Sequence, residues 1–489
     1  MLFIGEKGTS MLFNSFAFAV FLPVVFIVYW MMPHKYRWVV LLISSYYFYM
    51  SWNAAYVCLI LFTTLISYMA GILLEKLSDQ RKKKCVLAGT AVLCLGVLFF
   101  FKYFNFATKT ISDFLRLFAI QMNPITLKLL LPVGISFYTF QTLSYVIDVY
   151  KGDVSAEHHF GYYATFISFF PQLVAGPIER THNLLPQIKE KHSFDYNQAA
   201  YGLKLMAWGF FKKIAIADTL SPYVSTVFDA PRNYDGCALA LATFFFTLQI
   251  YCDFSGYSDI AIGTAKLLGI NLMTNFKSPY FSQSIKEFWR RWHISLSTWF
   301  RDYVYIPLGG NRVGKIRGAV NLMVTFLTSG LWHGANWTFV VWGGIHGAAQ
   351  VLEKVVVRKE MQKSSGILWW LRVFFVFLFA SFAWIFFVSN SIGDAFYTIS
   401  HMFTGISHPV SYIKFGMASV ALFKTDLLFM LVSMLLLAIY DYFSLTKDVI
   451  QVVSSKGILV RWTIYVLFAL WLILNVPAVN SSEFIYFQF

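Results

Sequence analysis

The stretch FNSFAFAVFLPVVFIVYWMM, Phe13 to Met32, has twenty consecutive residues without one charged side chain. A helix of about 20 apolar residues spans the hydrocarbon core of a bilayer. The run is too long for the apolar region of a signal peptide and lacks a small-residue cleavage site. We interpret it as the first membrane helix. Met11 is then the predicted start, and residues 1–10 are a predicted upstream extension.

The rest of the chain has a similarly apolar composition. Of its 489 residues, 58% are hydrophobic, 19% aromatic and only 13% charged, whereas soluble domains carry about 25% charged residues. The pattern predicts an all-α polytopic membrane protein with about 10–12 transmembrane helices. Re-entrant or partial helices are expected over 155–180 and 255–310. The predicted spans are 13–32, 38–51, 54–74, 85–104, 126–148, 198–217, 237–251, 318–335, 337–353, 367–388, 427–440 and 460–478.

Positive charge sets the expected orientation. The net charge is +15, and basic loops of membrane proteins face the cytoplasm. Three basic clusters are therefore predicted to be cytoplasmic: Lys76 to Lys84, Arg312 to Arg317, and Lys354 to Lys363. The segment 389–423 and both termini are expected outside. Because basic residues lie between apolar runs, they favour contact with membrane lipids over nucleic-acid binding.

His333 lies in SGLWHGANW, Ser329 to Trp337. At about 1.5 Å per helical residue, it lies roughly 24 Å from Arg317, past the midplane of a 30 Å core. Ionisable residues at such depth are costly and usually functional, and imidazole exchanges protons near neutral pH. Gly330 and Gly334 leave room beside the ring for a substrate or another backbone. The alternative is a structural histidine, hydrogen-bonded by Asn336 or a backbone carbonyl.

Two further histidines lie in the same third of the chain. His346 is expected on the following helix, either facing His333 or packed between small neighbours. His293 follows Arg290 and Arg291, and these arginines suit an anionic ligand's phosphates. The same pattern also fits an interfacial helix that binds lipid headgroups.

Other polar features have two interpretations as well. Asp253 and Asp259 suit an intramembrane proton relay or ion pairs with a nearby arginine. FFPQLVAGPIER, 169–180, contains two prolines, which break helices, and predicts a re-entrant segment ending at Glu179 and Arg180. The five cysteines form no CxxC pair, so neither a disulfide framework nor a metal site is predicted. Nucleotide-hydrolase, zinc-protease and serine-hydrolase motifs are missing from the sequence.

Several long blocks together resemble the membrane-bound O-acyltransferase family, most closely its bacterial alginate O-acetylation branch. They are LPVGISFYTFQTLSYVIDVYKG (131–152), FFPQLVAGPIER, YCDFSGYSDIAIG (251–263), FWRRWHISLSTWFRDYVYIPLGGNR (288–312) and GLWHGANWTFVVWGGIHG (330–347). The resemblance covers nearly the whole chain. It implies a single membrane domain over 11–489, with a catalytic core at about 130–355 and helices around a tunnel through the membrane.

The resemblance also implies a chemistry. His333 matches the family's catalytic histidine, while Trp332, Asn336, His346 and His293 become supporting or orienting residues. Arg290, Arg291 and Arg301 become candidates for the phosphates of an acyl-coenzyme A. The expected protein lies in the bacterial cytoplasmic membrane, has no permanently bound cofactor and uses acetyl-CoA as acyl donor. It would pass acetyl to an extracellular polysaccharide through an extracytoplasmic SGNH-type partner.

Two alternatives remain open on the sequence. One is D-alanyl transfer to teichoic acids from a carrier-protein thioester, which uses the same histidine. The other is a proton-coupled transporter with His333 and Asp253 as a relay, although the inverted repeats typical of such proteins are not evident.

Overall fold

The protein was analysed as a computed structural model that describes residues 11–174, 176–356, 365–420, 422, 424–475 and 484–485. Three sequence predictions concern segments mainly outside this range: the extension 1–10, the basic residues Arg358 to Lys363, and the outward-facing carboxyl terminus. The chain divides into two compact units. The first comprises residues 1–203 and 260–273, and the second comprises 204–259 and 274–489.

The described residues are mostly helical and contain no strand, which confirms the all-α fold class. The helices of the first half are α1 Phe16–Met31, α2 His34–Met50, α3 Val57–Lys76, α4 Gln80–Leu98, α5 Phe104–Arg116, α6 Ile135–Lys151, α7 Phe160–Ser168, α8 Phe170–Leu173, α9 Thr181–Lys189, α10 Tyr196–Phe210 and α11 Thr219–Phe228.

The second half begins with a long helix that crosses the boundary between the two units. Its helices are α12 Gly236–Leu267, α13 Ile285–Arg291, α14 Ile294–Phe300, α15 Lys315–His333, α16 Trp337–Val356, α17 Gly366–Val388, α18 Ile392–His401, α19 Pro409–Ser419, α20 Lys424–Ser444, α21 Val449–Ser454 and α22 Ile458–Leu474. Short π-helical segments lie at Phe99–Tyr103, Phe211–Asp218 and Arg301–Tyr305.

Each predicted span overlaps a helix, but not every helix is apolar enough to face lipid. Among the described residues, five are long and apolar enough to cross a membrane: those over Ala54–Lys76, Gln80–Arg116, Gly236–Leu267, Gly366–Val388 and Asp426–Ser444. The shorter apolar helices are Phe16–Met31 and Ile458–Leu474. The polytopic membrane class is therefore confirmed, whereas the count of ten to twelve spans stays a prediction. Helices such as α6 and α15 carry polar residues that are buried inside the protein, which lowers their hydropathy.

One predicted span is wrong over its first part. Residues 126–134 are not helical, and α6 begins only at Ile135. Gly134 has a φ of +72°, and a Cβ there would lie 2.6 Å from the Leu173 carbonyl oxygen. Pro132, which lacks a backbone N–H, and this left-handed glycine therefore delay the helix.

The block 169–180 behaves as predicted from its prolines. Among the described residues of this block, the one helix is the single turn α8, and 176–180 have no regular secondary structure. Glu179 and Arg180 are both buried. Irregular backbone at this position is tolerated because it is packed inside protein and not exposed to lipid.

Candidate active site

His333 is the last residue of α15 and is buried. The helix ends there because Gly334 is extended, with φ −156° and ψ 149°. The Nδ1 atom of His333 lies 2.7 Å from the Ser329 carbonyl oxygen. A carbonyl only accepts hydrogen bonds, so Nδ1 carries the proton of the neutral ring. Nε2 is left with the lone pair, which is the state that a general base requires.

The position of His333 at a helix carboxyl end adds an electrostatic effect. The last turn of a helix presents carbonyl oxygens with partial negative charge. The Ser329 carbonyl is one of them, and it contacts the ring directly. Positive charge that develops on the ring as it takes up a proton is therefore stabilised.

The two glycines beside His333 bring protein against protein. A Cβ on Gly330 would collide with the Phe339 carbonyl oxygen, and one on Gly334 would collide with the Phe339 ring. Gly343 makes the reciprocal contact from α16, because its Cβ would collide with the Phe326 carbonyl. The space beside Gly330 is therefore occupied by another backbone, as one of the two predictions had it, and the space beside Gly334 by the Phe339 ring. Packing of α16 holds the end of α15 in place.

His293 lies beside His333 and not at an exposed edge. It is completely buried, and its ring centroid is 6.4 Å from that of His333. Its backbone is left-handed, with a φ of +42°, a conformation that non-glycine residues rarely adopt away from functional sites. His293 itself therefore does not lie at an exposed membrane edge, whereas the binding of lipid headgroups by Arg290 and Arg291 stays a prediction.

Asn275 holds His293 in this place. Its side-chain oxygen lies 3.0 Å from His293 Nδ1 and accepts from the Ser295 hydroxyl at 2.9 Å. Its amide nitrogen donates to Ser258. Because an amide oxygen only accepts, Nδ1 of His293 is the protonated nitrogen. The sequence prediction missed Asn275, since a lone asparagine in a mixed segment carries no recognisable spacing.

Trp332 and Asn336 have different surroundings. The Trp332 ring contacts His333 edge-on at 5.0 Å and lies 6.1 Å from His293, as expected of a supporting residue. Asn336 instead accepts from the Thr338 backbone N–H at the start of α16 and donates to the Asn390 carbonyl. The predicted orienting bond on His333 thus comes from Ser329, and Asn336 caps the next helix.

His346 lies on α16 in an aromatic cage. Its Nδ1 accepts a hydrogen bond of 3.2 Å from the indole N–H of Trp289. The Trp342 ring lies between the two histidines, 5.0 Å from His333 and 5.1 Å from His346. The structure therefore brings His293, His333 and His346 into one buried cluster.

The three predicted phosphate-binding arginines have unequal surroundings. Arg291 is paired with Glu287 at 2.6 Å, and Arg301 is paired with Asp302 at 2.8 Å. Arg290 is exposed, and no ion pair to it is formed by the described residues. Of the three, Arg290 is best placed to meet an anion arriving from solvent.

The intramembrane carboxylates are neutralised by lysines. Asp253 lies 2.7 Å from Lys213, which also contacts Asp218, and Asp259 lies 2.6 Å from Lys212. The expectation of an ion pair is correct, but its partner is lysine and not arginine. Asp253 also accepts from the backbone N–H of Ile485 at 2.7 Å. These carboxylates therefore form structural pairs. Within the described part of the chain, no three His, Cys, Asp or Glu side chains converge as a metal site would require.

Comparisons with known proteins identify the family of this chain. Residues 154–392 match the membrane-bound O-acyltransferase family. The chain is 40% identical to the probable alginate O-acetylase AlgI of Azotobacter vinelandii over 81% of its own length and 78% of that protein. It is 34% identical to the peptidoglycan O-acetyltransferase of Helicobacter pylori over 80% of each chain. It is also 31% identical to the teichoic acid D-alanyltransferase of Streptococcus thermophilus, over 48% of this chain and 60% of that one.

The chain belongs to the membrane-bound O-acyltransferase family. It is an integral membrane enzyme, an O-acyltransferase, with His333 in its buried histidine cluster.

Proposed function

We propose that this protein takes an acetyl group from cytoplasmic acetyl-CoA and passes it across the bacterial cytoplasmic membrane for O-acetylation of an extracytoplasmic polysaccharide. An SGNH-type partner on the outer side would complete the transfer. The observation that carries the proposal is the geometry of His333, buried with Nδ1 on the Ser329 carbonyl and the lone pair on Nε2. The two O-acetyltransferase relatives match this chain over about four-fifths of its length.

The proposed chemistry is general-base catalysis. Nε2 of His333 removes the proton from an acceptor hydroxyl as that oxygen attacks the thioester carbonyl carbon. The C–S bond then breaks, and the leaving thiolate takes the proton back from the imidazolium. Ser329 holds the ring orientation throughout. The buried aromatic surroundings of Trp332 and Trp342 exclude water, which would otherwise hydrolyse the thioester.

The donor is proposed to arrive at the cytoplasmic side, where Arg290 would meet the phosphates of coenzyme A. Arginine binds phosphate oxygens in a bidentate manner. Arg291 and Arg301 would contribute only by exchanging Glu287 and Asp302 for the ligand. We therefore rank Arg290 first among the three.

D-alanyl transfer is the second candidate, because the teichoic acid D-alanyltransferase relative shares part of this chain. It matches a smaller share than the acetyltransferases do. The transporter alternative loses its proton relay, since Asp253 and Asp259 are each held by a lysine.

The test uses purified full-length protein and the donors themselves. With a hydroxyl-bearing glycan supplied as acceptor, wild-type protein should release free thiol from acetyl-CoA, and His333→Ala should lose this activity by at least about 100-fold. His158→Ala is the control, because His158 is an exposed histidine paired with Glu75. Cells that carry His333→Ala at normal protein level should lack glycan O-acetyl esters. Unchanged acetylation would disprove the catalytic assignment, and activity only with a D-alanyl carrier thioester would favour the second candidate.

A further inference from the structure

A row of buried hydrogen-bonding groups follows one face of α16. Thr338, Trp342 and His346 are spaced four residues apart, and each is 0% exposed. Residues at this spacing share a helix face. The Thr338 hydroxyl, the Trp342 indole nitrogen and the His346 Nε2 are all buried, and none has a hydrogen-bond partner among the described residues. Buried polar groups are nearly always paired, so three in a row require an explanation.

Two of these groups can act only as hydrogen-bond donors. An indole nitrogen can only donate. His346 Nδ1 already accepts the Trp289 N–H, so the proton of its neutral ring is on Nε2. His346 Nε2 is therefore a donor as well. His333 has the opposite tautomer, with its lone pair on Nε2, because of its bond to Ser329.

The two donors adjoin the catalytic base. The Trp342 ring contacts the His333 ring at 5.0 Å and the His346 ring at 5.1 Å. Trp384 and Phe387 close the same cage around Trp342. In surroundings this apolar, an N–H that meets a developing negative charge stabilises it far more than in water.

We propose that the indole N–H of Trp342 and the Nε2–H of His346 bind the carbonyl oxygen of the donor thioester and form the oxyanion site of the enzyme. This inference rests on the proposed function. As the acceptor oxygen bonds to the carbonyl carbon, its proton goes to His333 Nε2 and the π electron pair moves onto the carbonyl oxygen. The two N–H groups stabilise that oxyanion. Its collapse re-forms the C=O bond and expels the thiolate, which is protonated by His333.

A substitution that removes one of these N–H groups should then lower kcat far more than it lowers the melting temperature. Trp342→Phe removes one N–H and keeps an aromatic ring in the cage. Because that N–H has no partner among the described residues, its loss breaks no hydrogen bond. The melting temperature should fall only by the packing that the smaller ring loses, and so by less than in Trp384→Phe. Loss of one oxyanion donor lowers kcat by about 10²–10³-fold. If Trp342 had only a structural role, the kcat of the folded Trp342→Phe variant would stay near the wild-type value.

Trp384→Phe is the matched control. The Trp384 ring stacks on Trp342 at 5.4 Å, but its N–H donates to the Tyr280 hydroxyl at 3.1 Å. This variant should melt at a lower temperature and keep kcat within a few-fold of wild type. His346→Gln keeps an amide N–H near the Nε2 position, whereas His346→Leu does not. The glutamine variant should therefore retain more kcat than the leucine variant.

The experiment measures kcat, donor KM and melting temperature of each purified variant with acetyl-CoA. If Trp342→Phe keeps kcat within about threefold, or loses kcat only in proportion to folded protein, the oxyanion assignment is overturned. Inactivity of wild-type protein with acetyl-CoA in the presence of a hydroxyl-bearing acceptor glycan would instead contradict the proposed donor. The kcat of the same variants would then be compared with a D-alanyl carrier thioester as donor, which also reacts at a thioester carbonyl.

Discussion

At the scale of single residues, hydrogen-bond partners determine what each histidine can do. Ser329 places the lone pair of His333 on Nε2, and Trp289 places the proton of His346 on Nε2. The imidazole rings of His293, His333 and His346 therefore differ in their hydrogen-bond partners, and His333 and His346 also differ in which nitrogen carries the proton. The sequence predicted that histidines matter here, but it contains no sign of which nitrogen each would use.

Asn275 is expected to be essential for the position of His293. Asn275→Leu removes the acceptor of both His293 Nδ1 and the Ser295 hydroxyl in a completely buried place. Each donor left unpaired costs about 1–3 kcal/mol. The melting temperature and the acyl-transfer rate should both fall, as measured by thermal denaturation and thiol release. Asn233→Leu, at an exposed site, is the control. Equal behaviour of the two variants would contradict this role.

Glu179 gives the protein a predicted pH dependence. It lies in the irregular segment before α9, where its carboxylate accepts from the Met273 N–H and the Asn183 amide. Burial nevertheless raises the pKa of Glu179 to about 7, from an ordinary value of 4.5. The folded state therefore binds this proton more tightly than the unfolded state does. The stabilisation, about 3 kcal/mol at most, is present below pH 4.5 and is lost as the pH rises to 7.

The check is a comparison of Glu179→Gln with wild type. The neutral glutamine should remove this contribution, so the melting temperature should fall less between pH 5 and pH 8 than in wild type. Glu190→Gln, an exposed neighbour, should follow the wild-type curve. Parallel curves for Glu179→Gln and wild type would refute the assignment.

At the scale of elements, glycine contacts and helix ends build the site. α15 and α16 approach closely through Gly330 and Gly343, and α15 ends at His333, the residue that we propose as the base. The π-helical segment Phe211–Asp218 similarly places Lys213 between Asp253 and Asp218. π-helical segments are rare in proteins, and those that occur often lie at functional sites.

The α15–α16 contact predicts a sharp difference between neighbouring glycines. Gly330→Ala would put a methyl group onto the backbone of Phe339, which cannot move as a side chain can. Overpacking of this kind costs about 1–3 kcal/mol or more, and the yield of folded, active protein should drop. Gly344→Ala is the control on α16, because its Cβ meets only Leu327 at 3.5 Å. The detergent-solubilised yield and the melting temperature are measured for both variants. Equal tolerance would show that the helices are not held at this spacing.

At the scale of the whole molecule, lipid accounts for an outer surface that water would not tolerate. Phe16, Ile316 and Leu459 are each more than 80% exposed, and many other large apolar side chains are exposed as well. The three clustered histidines and the ion pairs of Lys213 with Asp253 and Asp218 lie inside. This is the arrangement expected of a membrane enzyme, because polar groups in hydrocarbon must be satisfied within the protein.

Orientation follows from the basic loops and can be measured. The loop between α3 and α4 is flanked by Lys76 at the end of α3 and by Arg81 to Lys84 at the start of α4, so it is predicted to be cytoplasmic. The loop between α18 and α19 is predicted to be outside. In a cysteine-free background, a membrane-impermeant maleimide should label Ser407→Cys in intact cells. Ser78→Cys should react only after permeabilisation. The reverse labelling pattern would invert the orientation and the proposed side of donor entry.

The sequence by itself determined the membrane class, the position of nearly every long helix and the family, and it indicated His333 as the candidate catalytic residue. Hydrophobic runs and motif blocks are local, so they can be recognised without a fold. Only the tertiary structure decided that His293 is buried beside His333, that Asn275 and Ser329 set the ring orientations, and that lysines neutralise Asp253 and Asp259. Those contacts join segments far apart in sequence or depend on which face of a helix meets another. Helix packing, and not spacing along the chain, therefore determines which residues form the site.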